Sequence, residues 1–213
     1  MIFVLILISI SSAKSLLGVD ISQLHSLEIM KCFVQEGRTF IIPRAWKSIN
    51  ELDGNFYQNM VNAYEAGMSR VDVYFLPCWE CGDVRGQVTT FWDTISGWEV
   101  SPTRVWLDIE GEWSSVYSEN IEFFEALINQ VRSIGFVHGI YCSLYYWKLF
   151  FGLDYIFRYH SETQLWYVHY NSEASFDGYS LVSFGGWEKP NLKQYQANTA
   201  FCGGFVDFNY EEQ

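Results

Sequence analysis

The sequence predicts one α/β domain, an irregular (β/α) barrel of TIM-barrel type with fewer than eight helices. Eight short β-type runs punctuate the chain, with helix-length segments between many of them. Such alternation implies parallel strands joined by crossovers, and eight strands in 213 residues suit a small barrel better than a doubly wound sheet. The composition, 49% hydrophobic and 19% aromatic with only 4 Pro, supplies one large core and leaves no room for a second domain.

The first element precedes the domain. Residues Ile2 to Ile8 are strongly apolar and small residues follow up to Ala13, the pattern of a secretory signal peptide (residues 1–13) cut near Ala13 to Ser15. The run is too short for a membrane-spanning helix, which takes roughly 20 residues. No other segment reaches that length, so the expected product is secreted, or delivered to a lysosomal or phagosomal compartment, and leaves the membrane after cleavage. The domain proper is then residues 16–213, expected as a monomer.

Within it, residues 17–21, 38–42, 71–76 and 104–110 read as buried strands, dense in Val, Ile, Leu and aromatics. The clearest helix covers residues 118–133, where Ile121, Phe124, Leu127, Ile128 and Val131 recur at helical spacing. Ser118 is its expected N-cap and Gly135 lies in its C-cap region. Residues 139–142, 165–170, 192–196 and 205–209 are the later strands, with fewer helices among them.

Charge excludes some partners. Thirteen Lys and Arg against 25 Asp and Glu leave a net charge of -12, without the basic stripe that nucleic acid requires. The four histidines, His25, His138, His160 and His169, show no metal-ligand spacing, so neither a metal nor any other cofactor is expected.

The acids carry the chemistry. Side chains alternate along a strand, so Asp108 and Glu110 face one side with Cα atoms roughly 6–7 Å apart. Two carboxylates held together in a partly desolvated mouth do not both ionise easily, so one serves as an acid while its neighbour stays charged. Their apolar neighbours Trp106, Leu107 and Ile109 make solvation an unconvincing reason for them to be there. Asp20, on the first strand, and Asp207, on the last, join them, because first and last strands are neighbours when a barrel closes.

Five cysteines in an oxidising compartment are disulfide candidates, and the odd count leaves a thiol over. Cys78 and Cys81 are close enough to bridge a tight loop. Cys32, Cys142 and Cys202 are not paired by sequence alone. A strand followed by Cys78-x-x-Cys81 and a helical stretch also describes a thioredoxin-like redox site, though that reading leaves the acids unexplained.

From about Leu17 to its end the chain resembles glycoside hydrolase family 25, the lysozymes typified by fungal and phage muramidases. The resemblance rests on Gly18-Val19-Asp20-Ile21-Ser22, Trp106-Leu107-Asp108-Ile109-Glu110-Gly111, Gly139-Ile140-Tyr141-Cys142-Ser143, Leu165-Trp166-Tyr167-Val168-His169-Tyr170, Gln194-Tyr195-Gln196 and Val206-Asp207-Phe208-Asn209. The leader and the Pro-Cys-x-x-Cys loop look most like animal or protist members. The resemblance implies hydrolysis of the β-1,4 bond between N-acetylmuramic acid and N-acetylglucosamine in bacterial peptidoglycan. It makes Glu110 the proton donor, Asp108 its acidic companion, and Asp20 and Asp207 supporting carboxylates. It also implies substrate assistance, in which the acetamido carbonyl attacks its own anomeric carbon while Asp108 steadies the charged ring. A direct nucleophilic role for Asp108 stays open. Tyr74, Tyr141, Trp166 and Tyr195 are the expected substrate-binding aromatics, with weaker support for Trp46, Trp79 and Trp98. A catalytically inactive wall-binding protein on the same scaffold is the alternative.

Overall fold

The computed structural model describes residues 15–212, so the expected signal peptide lies outside the described residues. The elements run β1 (Ser15–Ile21), α1 (Leu27–Gln35), β2 (Arg38–Lys47), β3 (Glu51–Leu52), α2 (Phe56–Glu65), β4 (Arg70–Val71) and β5 (Val73–Phe75). Then follow α3 (Val84–Ile95), β6 (Val105–Asp108), α4 (Tyr117–Ile134), β7 (His138–Cys142), α5 (Leu144–Phe151), β8 (Gln164–Val168), β9 (Leu192–Phe201) and β10 (Gly204–Glu212). The strands pair in the order β1-β10-β9-β8-β7-β6-β5-β2, and β1 pairs with β2 to close the barrel. Short β4 continues the line of β5 across Asp72, which makes eight staves, and β3 is a hairpin return on β2. This closed barrel is not the thioredoxin arrangement that the Cys78-x-x-Cys81 motif left open.

Parallel pairing holds from β1 through β9 and fails at the closure, where β10 is antiparallel to both β9 and β1. A parallel return needs a crossover of a dozen or more residues, whereas the chain turns from Phe201 to Gly204 through two residues. Cys202 and Gly203 there have φ values of 53° and 84°, the left-handed pair typical of a type I′ hairpin.

Helix α4 starts one residue before the expected position. Its N-cap is Val116 rather than Ser118, and Gly135 closes it in the left-handed conformation at φ 87°. The anchoring polar group is Asn120, fully buried, whose Oδ1 accepts from Ser114 N at 3.1 Å and whose Nδ2 donates to Phe150 O at 3.0 Å.

The core has two layers. The larger lies between strands and helices, with Phe33, Phe56, Phe91, Phe124, Trp147 and Phe157 among its members. The smaller fills the barrel with Phe40, Ile42, Trp106, Tyr141, Trp166 and Leu192. Room for these rings comes from Gly18 and Gly139: a Cβ on Gly18 would collide with the Phe40 ring and one on Gly139 with the Trp106 ring. The N-terminal end of the barrel is stoppered by Asp72, 0% exposed, which faces Arg70 at 3.3 Å and accepts from Trp106 Nε1 at 3.2 Å. The C-terminal strand ends are therefore the open mouth.

Candidate active site

Asp20 is the penultimate residue of β1, Asp108 is the last residue of β6, and Asp207 sits on β10 in register with Asp20. Glu110 differs from the expected strand position, because β6 stops at Asp108. One more residue stays paired, with Ile109 N donating to Tyr141 O at 2.9 Å, and Gly111 then turns the chain at φ 88°. Glu110 thus stands on the rim, half-buried, while Asp108 lies beneath it, only 3% exposed. All four acids converge on the mouth.

Their environments set their acidity. Burial pushes the Asp108 carboxyl well above the usual range, and the negative charges of Glu110 and Asp20 push it further. Arg44 acts on it in the opposite direction. Glu110 is raised by partial burial and then by Asp207. Asp20 is raised well above the ordinary range by burial and by Asp207, against the pull of two amide donors. Asp207 is raised by burial and held down by the Asn198 N–H, which donates to its Oδ1 at 2.7 Å. All four carboxyls of the mouth are thus shifted toward keeping their protons, the rim acid Glu110 among them.

Gln194 organises it. Its Nε2 donates to Asp20 Oδ1 at 2.8 Å and to Asp207 Oδ2 at 3.1 Å, and Asn209 Nδ2 also donates to Asp20 Oδ1 at 2.7 Å. The hydroxyls of Tyr141 and Tyr170 both donate to Gln194 Oε1 at 2.8 Å. Burial raises the Tyr141 phenol well above its ordinary value and pushes Tyr170 up to about 12, so both remain donors. One amide is thereby oriented from both ends. In contrast, Asp108 Oδ1 is buried without a hydrogen-bond partner among the described residues, an unusual state for a carboxylate.

Of the expected aromatics, Tyr74 lines the cleft beside Asp20 and Asp207, in a hollow of about 190 Å³. Tyr141 reaches the site with its hydroxyl but is 7% exposed, which makes it a support and not a sugar platform. Trp166 is not a platform either: it is 1% exposed inside the barrel and donates to Asn209 Oδ1 at 2.8 Å. Tyr195 belongs to the opposite face of its strand, stacked on Phe208 at 6.0 Å outside the barrel, because alternation sends its neighbour Gln194 inward. Sequence reasoning stopped one residue short there. It also gave no role to Asn209, Tyr170, Arg44 or Asp53. Arg44 is tied to Asp53 at 2.6 Å. The spacing of Asp207 and Asn209 on one face was a signal for Asn209; the Arg44 pair had none.

Cys78 is bonded to Cys81, and Cys32 to Cys202, leaving Cys142 as the free, buried thiol among the described residues. No group of three or more His, Cys, Asp or Glu suited to a metal occurs among the described residues. No helix among them is long and apolar enough to cross a membrane.

The family model described as Lys-1, Lysozyme-like protein 1, matches residues 11–195. Over 206 residues the chain is 38% identical to "Probable GH family 25 lysozyme 2" of Dictyostelium discoideum, across 96% of this chain and 93% of that protein. It is 34% identical over 205 residues to "Lysozyme-like protein 5" of Caenorhabditis elegans, across 94% and 93% respectively. In fold it is similar to a family GH25 lysozyme from Aspergillus fumigatus, with a TM-score of 0.76 at 16% identity, covering 94% of this chain and 95% of that one.

Proposed function

The chain belongs to the glycoside hydrolase family 25 lysozymes, and from that footing we propose that it is a muramidase. Its substrate is the glycan strand of bacterial peptidoglycan, cut at the β-1,4 bond between N-acetylmuramic acid and N-acetylglucosamine. The observation that carries the reading is the stacking of two acids in different settings, Glu110 half-buried at the rim and Asp108 buried below it. A carboxyl raised by partial burial keeps its proton for the leaving oxygen, which is the task of a general acid.

We assign the second half of the reaction to the substrate. The glycosidic C–O bond breaks as Glu110 gives its proton to the departing oxygen, and the acetamido carbonyl oxygen closes on the anomeric carbon. The resulting cyclic cation carries an N–H that Asp108 accepts through Oδ1, the oxygen without a protein partner. Water then opens the ring and returns a proton to Glu110, so protons and electrons balance. A buried carboxylate favours that cation electrostatically, and the cation in turn favours ionised Asp108. Asp20 and Asp207 act through Gln194 as supporting carboxylates.

We also propose that the protein works as a monomer outside the cell or in a lysosomal or phagosomal compartment. The apolar leader and the two disulfides support an oxidising space.

The test is product analysis of purified peptidoglycan digested by the protein beside Glu110→Gln. Muramic acid at the new reducing end, lost in the variant, is the expected result. Binding without cleavage by either protein between about pH 4 and 7, the range around the carboxylate and histidine values, would return the chain to a wall-binding role.

A further inference from the structure

The loop after β5 is built more tightly than a connection requires. Cys78 and Cys81 close it, and Gln87, 3% exposed on α3, ties it from inside. Gln87 Oε1 accepts from Cys78 N at 2.9 Å, while its Nε2 donates to Cys78 O at 2.8 Å and to Gly82 O at 2.7 Å. The two residues between the cysteines, Trp79 and Glu80, are thereby presented as a rigid tip. A pinned loop loses little conformational entropy when a ligand settles on it.

That tip borders three grooves: one of about 630 Å³ runs past Arg85 and Phe123 and is not lined by Glu110, and the two others join each other. Of these two, one, of about 310 Å³, runs past Ile49 and contains Glu110 itself. The other, of about 590 Å³, leads away between Trp113, Tyr117 and Leu149. Trp79, Glu80, Gly111 and Glu112 line both, so the second groove continues the first. Tyr117 is 50% exposed and Leu149 47%, apolar surface left open beside the tip. These sizes suit small ligands of roughly 300–1,000 Å³ sites.

We propose that the Trp79 groove is a sugar-binding extension of the cleavage site, holding one further uncharged N-acetylhexosamine unit of the glycan strand. The proposal rests on the reading of Glu110 as the site of glycan cleavage. Pyranose rings present C–H faces that pack on an indole, and their hydroxyls donate to Glu80 and Glu112. No Lys, Arg or His lines either of the two joined grooves, so a unit bearing a free lactyl or peptide carboxylate is repelled. The groove therefore selects the neutral sugar of the alternating strand and so sets the register in which the strand lies across Glu110.

The test uses the full mature chain carrying Glu110→Gln, so that ligands survive, with and without Trp79→Ala or Trp79→Phe. The probes are a disaccharide and a hexasaccharide of β-1,4-linked N-acetylglucosamine, titrated by calorimetry, with the melting temperature of each variant recorded. Trp79→Ala is expected to weaken the hexasaccharide about 10-fold, equivalent to about 1.4 kcal/mol, and the disaccharide much less. Trp79→Phe, which keeps an aromatic face, should recover most of the loss at unchanged melting temperature. Equal loss for both probes, no loss for either, or no binding of the hexasaccharide overturns the groove. The two readings fail separately: Trp79-dependent, length-dependent binding in a protein whose native form releases no muramic acid end would keep the groove and sink the muramidase. Cleavage with no Trp79 effect would do the reverse.

Discussion

Arg44 Nε donates to Asp53 Oδ2 at 2.6 Å, and through this pair a positive charge is held beside the buried acids of the barrel mouth. Asp53 is itself 4% exposed and accepts from Asn55 N at 2.9 Å with its other oxygen, so the carboxylate is fully committed. Arg44 is paired with Tyr74 across β2 and β5, and its charge favours ionised Asp108 against burial, Glu110 and Asp20.

Removing that charge should therefore make Asp108 harder to ionise. Arg44→Gln is expected to move the acidic limb of the kcat/KM profile to higher pH by about one unit, the scale of one nearby charge. Asp53→Asn should shift it in the same direction by less, and Arg44→Lys should restore part of it. An unchanged limb in Arg44→Gln, measured across a full pH profile, would remove Arg44 from the mechanism.

The acids of the mouth are held at a cost to stability. The folded-state pKa of Asp108 is raised, so ionising it opposes folding; that penalty is absent below the unfolded value of about 3.9 and grows as pH rises toward the folded value. Asp108→Asn should accordingly raise the melting temperature at pH 7 by roughly 2–4 °C, about 1 kcal/mol in a chain of this size. The gain should vanish near pH 3 and be accompanied by loss of hydrolysis. Melting curves at both pH values decide it.

Gln194 makes four hydrogen bonds to side chains at once. Gln194→Leu leaves Asp20, Tyr141 and Tyr170 each short of a partner in a buried setting, at an expected cost of about 1–3 kcal/mol. Activity should fall by more than 10-fold with kcat affected more than KM, because the supporting carboxylates lose their orientation. Steady-state kinetics alongside urea unfolding separates the two effects.

The Cys32–Cys202 bond joins α1 to the β9–β10 hairpin across a separation of 170 residues. Closing so long a loop restricts the unfolded chain strongly, and the Cys32→Ser, Cys202→Ser double variant should lose about 2–5 kcal/mol. Urea midpoints of the two proteins measure this. Cys142, buried against Ile109 O at 3.4 Å, should stay unreactive toward thiol reagents in both native states.

The eight strand runs were legible in sequence because barrel strands are dense in β-branched and aromatic residues. Asp108 and Glu110 were legible because two acids in an apolar run have no ordinary structural reason. Alternation also specified that Gln194 and Tyr195 face opposite ways. It did not say which way is inward, since both faces of a barrel strand are covered and both residues are buried. That choice, which swaps Tyr195 for Gln194 in the site, is made by ring closure. The antiparallel return of β10 was implicit in the short gap between residues 196 and 205, too brief for a helical crossover.

By itself, then, the sequence determined the strands, the order of the motifs and the family to which the acids belong, because those depend on local composition and spacing. The tertiary structure alone decided that Glu110 stands above Asp108 on a turn and that Arg44 answers to Asp53. It alone brought Cys32 to Cys202 and Trp79 to the edge of the Glu110 groove. Each of these joins residues on different staves or beyond strand ends, and such contacts arise only when the sheet curls and closes.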